Sequence, residues 1–126
     1  MLAFLDGSEG NVLGVEISGT YTKNDVEEFK KAFEGCLKSG DKVNVLIKID
    51  GLERESAELG ALLEYSRYAK KNLDKFGHIA IVGHSRFDRI LVKMDNIFVV
   101  ADRKKGREER YFDVSEIDKA WAFVRG

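Results

Sequence analysis

Val43-Asn-Val-Leu-Ile-Lys-Ile-Asp-Gly-Leu-Glu-Arg-Glu-Ser-Ala-Glu-Leu-Gly-Ala-Leu-Leu63 decides the fold. Val43, Val45, Ile47 and Ile49 alternate as the inward positions of a strand. Leu46 adds apolar surface on the opposite face. A strand wetted on one side has no use for that leucine, so this strand is expected at the centre of a sheet, covered above and below. It ends at Asp50-Gly51, and a helix opens near Ser56. Strand-to-helix junctions of this kind are where α/β sheets place binding and switching chemistry.

Outward from that stretch, toward the N-terminus, apolar residues alternate over Leu2 to Leu5 and over Val12 to Ile17. Asp6-Gly7-Ser8-Glu9-Gly10-Asn11 separates them, which predicts a β-hairpin. Thr22 opens a helix, with Asp25 three residues on completing an approximate capping box. Val26, Phe29, Phe33, Cys36 and Leu37 form its apolar stripe, and Ser39-Gly40 stops it. Toward the C-terminus, Leu59, Leu62, Leu63, Ser66, Ala69, Leu73 and Phe76 mark the buried side of the second helix, with Gly77 as its terminator. Ile79 to Val82 reads as a second buried strand. Ser85 caps a third helix carrying Phe87, Ile90, Leu91, Met94, Ile97 and Phe98. A charged turn follows over Ala101 to Glu109. Arg110 to Val114 is the last strand, and Ser115 caps a final helix with Ile117, Ala120, Trp121 and Val124 inward. The order β-β-α-β-α-β-α-β-α makes this an α/β chain: one mixed sheet of about five strands, an N-terminal hairpin and then βα units, flanked by four helices. The later strands are expected to run parallel because their connections are crossovers.

A chain of 126 residues is one domain, large enough to bury a core without disulfides or metals. Its 44% hydrophobic and 34% charged residues are those of a globular protein. A formal net charge of -1 removes the basic excess expected of a nucleic-acid binder. No apolar run approaches the ~20 residues of a membrane span, and the N-terminus lacks the basic and apolar regions of a signal peptide. A cytoplasmic protein with no transmembrane segment is expected. Cys36 is the single cysteine; it reads as a buried thiol acting as a small hydrophobe. With no proline, turns rest on Gly, Asn and Asp.

Two junctions are expected to meet at one edge of the sheet. Asp50, Gly51, Glu55, Ser56 and Glu58 form one, and Gly83, His84 and Ser85 form the other. Both lead into Ser-capped helices, whose N-termini carry unpaired amides and about half a positive charge. A phosphate on Ser56 would sit at such a terminus, against the like charge of Glu53, Glu55 and Glu58; the plainer reading makes both serines caps. His78 and His84 lie at opposite ends of one strand, about 20 Å apart, so they share no metal. No cluster has metal-ligand spacing, and no cofactor is expected. His84 beside Ser85 hints at an acid–base pair, but no third orienting group is identifiable. The run Arg103-Lys104-Lys105-Gly106-Arg107 is interleaved with acids and reads as a solvated loop. Phe87, Leu91, Met94 and Phe98 lie at helical spacing, as core residues do. The alternative is one wall of an apolar pocket.

The chain resembles the SpoIIAA-like proteins, a branch related to the STAS domains. The resemblance rests on Asn11-Val-Leu-Gly-Val-Glu-Ile-Ser-Gly, the Thr22-capped helix, Glu58-Leu-Gly-Ala-Leu-Leu, His78-Ile-Ala-Ile-Val-Gly, Arg110-Tyr-Phe-Asp and Ala120-Trp121. In the anti-sigma-factor antagonists the loop after the third strand reads Asp-Ser-Ser-Gly-Leu-Gly, and its second Ser is phosphorylated. Here that loop reads Glu55-Ser56-Ala57-Glu58-Leu59-Gly60. Leu59 and Gly60 match, whereas the switch serine is Ala57, leaving Ser56 as the neighbouring hydroxyl. The resemblance implies a non-enzymatic, regulatory protein-interaction module of bacterial type, with a protein partner or a second copy of itself. The fold is also similar to lipid-carrying CRAL-TRIO domains, which implies the alternative of a carrier or sensor of a hydrophobic or acyl ligand. A hydrolase using His84 and Ser85 is the least favoured expectation.

Overall fold

The computed structural model describes residues 1–19, 22–52, 64, 67–84 and 109–126. Five strands make one sheet: β1 (Leu2–Phe4), β2 (Val12–Gly19), β3 (Val43–Leu52), β4 (Phe76–Gly83) and β5 (Glu109–Asp113). They lie side by side in chain order, with β3 in the middle. β1 and β2 are antiparallel, and the remaining pairs are parallel. Three helices are described. α1 spans Lys23–Cys36, α2 is helical over residues 67–71, and α3 spans Ile117–Arg125. The predicted third helix, from Ser85 through Phe98, and the charged turn after it lie outside the described residues.

The hairpin turns where expected, with Gly10 at φ +59° in the left-handed region that favours glycine. α1 begins as the sequence predicts. The Thr22 hydroxyl accepts the Asp25 amide at 3.2 Å, and the Asp25 carboxylate accepts the Thr22 amide at 3.0 Å, so the box satisfies orphan donors at both residues. Val26, Phe29 and Phe33 of α1 are buried, with Cys36 and Leu37 packed partly buried beside them. Burial pushes the Cys36 thiol above its ordinary value, which disfavours the thiolate.

Alternation in β3 divides the core into two layers. Val43, Val45, Ile47 and Ile49 face α1 and Ala69 of α2. Leu46, on the other face, packs with Val12, Ala80 and Val82 beneath Ala120 and Val124 of α3. Leu46 has no exposed surface, so the strand is covered on both sides as its pattern requires. Burying a side chain of that size contributes about 2 kcal/mol.

Several boundaries differ from expectation. β3 runs on to Leu52 instead of ending at Asp50-Gly51, β1 stops at Phe4, and β2 continues to Gly19. The second helix does not run to Phe76. A 3-10 turn occupies Leu73–Lys75, and Phe76 and Gly77 already belong to β4, so β4 is longer than Ile79 to Val82. The Asn72 side chain donates to the Tyr68 carbonyl at 2.9 Å, closing the helix, while Phe76 enters the core beside Phe33 with ring centroids 4.5 Å apart. The last strand is Glu109–Asp113 rather than Arg110 to Val114. Ser115 does not cap α3. Its amide and hydroxyl both donate to Asp113, at 3.0 and 2.6 Å. That bonding shapes a 3-10 turn over Val114–Glu116, and the helix starts after it. Asp113 competes successfully because a carboxylate is a stronger acceptor than a hydroxyl.

α3 is held down along its length. Trp121 lies against the hairpin so closely that a Cβ on Gly14 would overlap its indole, and one on Gly7 would stand 2.7 Å from it. Arg125 covers the same ring at 4.8 Å and donates to the Gly7 carbonyl at 3.2 Å. Asn44 ties the same C-terminal end from the sheet, donating to the Val124 carbonyl at 2.7 Å and accepting the His78 amide at 2.8 Å.

Candidate functional site

The register that pairs Lys48 of β3 with Val82 of β4 carries on to set Asp50 beside His84. Their side chains meet: His84 Nε2 lies 3.8 Å from Asp50 Oδ1, and both are about half exposed, 49% and 52%. The described parts of the two junctions come together here, through Asp50 and His84. Gly51 lies in β3 and Gly83 ends β4, so Asp50, Gly51, Gly83 and His84 share the carboxyl-end rim of two adjacent parallel strands. Glu55, Ser56, Glu58 and Ser85 lie outside the described residues, as do the candidate pocket residues Phe87, Leu91, Met94 and Phe98.

The rim has a polar approach that sequence reasoning missed. On the α3 face, β3 passes from Leu46 to Lys48 to Asp50 at the two-residue spacing of one sheet face. Across the register, Glu16 stands beside Lys48 and Ser18 beside Asp50. Lys48 Nζ lies 3.1 Å from Glu16, each with about a quarter of its side chain exposed. The face thus changes from apolar beneath α3 to charged toward the rim. Half-buried pairs of this kind contribute modestly, about 1 kcal/mol or less. The missed signal was a charged residue at the same-face position of each neighbouring strand, Glu16 in β2 and Lys48 in β3.

His78 is kept apart from the rim. It sits six positions earlier on β4, its ring 4.9 Å from Phe123 of α3. Its Nδ1 is buried and has no hydrogen-bond partner among the described residues. The two histidines therefore do not cooperate. Among the described residues no three His, Cys, Asp or Glu side chains gather as metal ligands would, and no helix is long and apolar enough to cross a membrane.

Chemically, the rim offers an exposed carboxylate, an imidazole that donates or accepts, and strand-end backbone, all held on buried strands. The 3.8 Å separation of Asp50 and His84 is beyond hydrogen-bonding reach, so their interaction is Coulombic and depends on a protonated imidazole.

A family model described as SpoIIAA-like matches residues 12–125. The fold is similar to the crystal structure of an uncharacterised protein with a SpoIIAA-like fold from Shewanella loihica PV-4. That alignment has a TM-score of 0.65 at 20% identity and covers 98% of this chain and 93% of the other. None of the curated proteins matches the sequence.

Proposed function

The chain belongs to the SpoIIAA-like family, and from that premise we propose that it is a non-enzymatic protein-interaction module of STAS type, docking its partner on the rim around Asp50 and His84. The observation that carries this reading is the meeting of those two exposed polar side chains near the ends of strands whose described residues are mostly buried. Recognition residues on a rigid scaffold lose little entropy when a partner binds.

The test is a photo-reactive residue placed at His84 and, as a control, at Lys75, which is exposed at the opposite end of β4. Irradiation in cells is expected to give a discrete protein adduct from position 84 and none from position 75, with the adduct weakened by Asp50→Lys. Equal labelling at both positions, or none at either, overturns the rim. A lipid retained through native mass spectrometry, with no protein adduct, would favour the apolar-ligand expectation instead.

A further inference from the structure

The two edges of the sheet are built differently. β1 forms one edge and β5 the other. β5 carries Glu109, Arg110 and Asp113, charges of the sort that blunt an edge against pairing. β1 is Leu2-Ala3-Phe4, with no charge and no proline, and its register with β2 runs without a bulge. Two of the exposed large hydrophobic side chains cluster there, Met1 at 64% and Phe4 at 49%.

The ladder shows what the outer side of β1 offers. Met1 and Ser18 exchange hydrogen bonds, and the Leu5 amide donates to the Gly14 carbonyl at 2.9 Å. In an antiparallel pair these bonded positions alternate with positions whose amide and carbonyl point away. Leu2 and Phe4 are therefore the outward residues, and each presents one donor and one acceptor beyond the sheet.

We propose that β1 pairs antiparallel with β1 of a second copy of this chain, about a two-fold axis through Ala3. In that register Leu2 of each copy exchanges two hydrogen bonds with Phe4 of the other, four in all, and no outward group of Leu2 or Phe4 is left over. Every side-chain pairing is apolar: Leu2 with Phe4, Ala3 with Ala3, Met1 with Leu5. The same operation centred on Tyr111 of β5 would set Glu109 against Asp113, a like-charge pair. The self-complementary patch is what a two-fold contact requires, and it is separate from the Asp50–His84 rim. A three-residue ladder buries less than the roughly 1,200 Å² of a standard interface, so the dimer is concentration-dependent.

The test combines sedimentation equilibrium over a wide concentration range with disulfide trapping in a Cys36→Ala background. Ala3 faces its own copy at a non-hydrogen-bonded position, where Cα atoms approach to about 4.5 Å, within disulfide reach. The average mass is expected to rise toward that of a dimer with concentration. Phe4→Lys is expected to abolish the rise with an unchanged circular dichroism spectrum. Ala3→Cys should oxidise to a covalent dimer, while Tyr111→Cys on the opposite edge should not. A chain that stays monomeric at every concentration and gives no Ala3→Cys cross-link overturns the proposal. So does a dimer that survives Phe4→Lys and fails to cross-link at position 3, or a monomer that takes up a strand of a different protein at this edge.

Discussion

Asp25 shows opposing effects meeting at one side chain. Burial pushes its carboxyl up, but the Thr22 amide, the α-ammonium of Met1 at 3.5 Å and the Thr22 hydroxyl outweigh burial and hold it below the ordinary value of 3.8. A carboxyl whose value is lowered in the fold contributes stability above its unfolded value, and that contribution is lost as pH falls through the folded one. The acid side of a stability profile from urea midpoints is thus expected to fall below about pH 4. Asp25→Asn should flatten that fall and cost about 1 kcal/mol at neutral pH; an unchanged acid limb would assign the fall to other carboxylates. Thr22 and Asp25 were legible in the sequence because capping is local, three residues apart. Ser115 was misread because the sequence does not show that Asp113, two residues earlier, is the better acceptor.

At the scale of elements, the junction between α2 and β4 turns on Gly77. A Cβ there would overlap the Asn44 side-chain oxygen, and Asn44 is what joins β3 to β4 and to the end of α3. Gly77→Ala is expected to cost about 3 kcal/mol, from crowding and from loss of part of the Asn44 bonding. In Asn44→Ala the same glycine substitution should cost much less, a non-additivity readable from chemical denaturation of the single and double variants. Equal costs in both backgrounds would mean that Asn44 is not the obstacle. The sequence offered a different role for this glycine, that of a helix stop. Phe76 sits three residues after Leu73 and so satisfies helical spacing, yet one buried aromatic fits a strand equally well. β3 carried no such ambiguity, because Val43, Val45, Ile47 and Ile49 alternate on one face and Leu46 adds apolar surface to the other. The rim was half legible. Asp50 and His84 lie near the carboxyl ends of their strands and stood out, whereas the Glu16–Lys48 pair depends on the register between strands, which one chain's pattern does not supply.

For the molecule as a whole, β3 is the central strand, bonded on both sides and covered on both faces. In dilute protein, where the chain is monomeric, native-state hydrogen exchange is expected to be slow at the amides of Val45 to Ile47 and fast at Leu2 and Phe4, which point outward from the sheet. Rapid exchange in mid-β3 would contradict its central position. The strands also lie in the order in which they are translated. Each one leaving the ribosome finds its neighbour already laid down, so the plate can grow outward from the hairpin without threading a late strand between earlier ones. α3 follows β5 in the chain and supplies Ala120 and Val124 over Leu46, Ala80 and Val82. A nascent chain in which the five strands have paired but that helix has not yet emerged would lack this cover, leaving those three side chains open to wrong contacts until the helix docks.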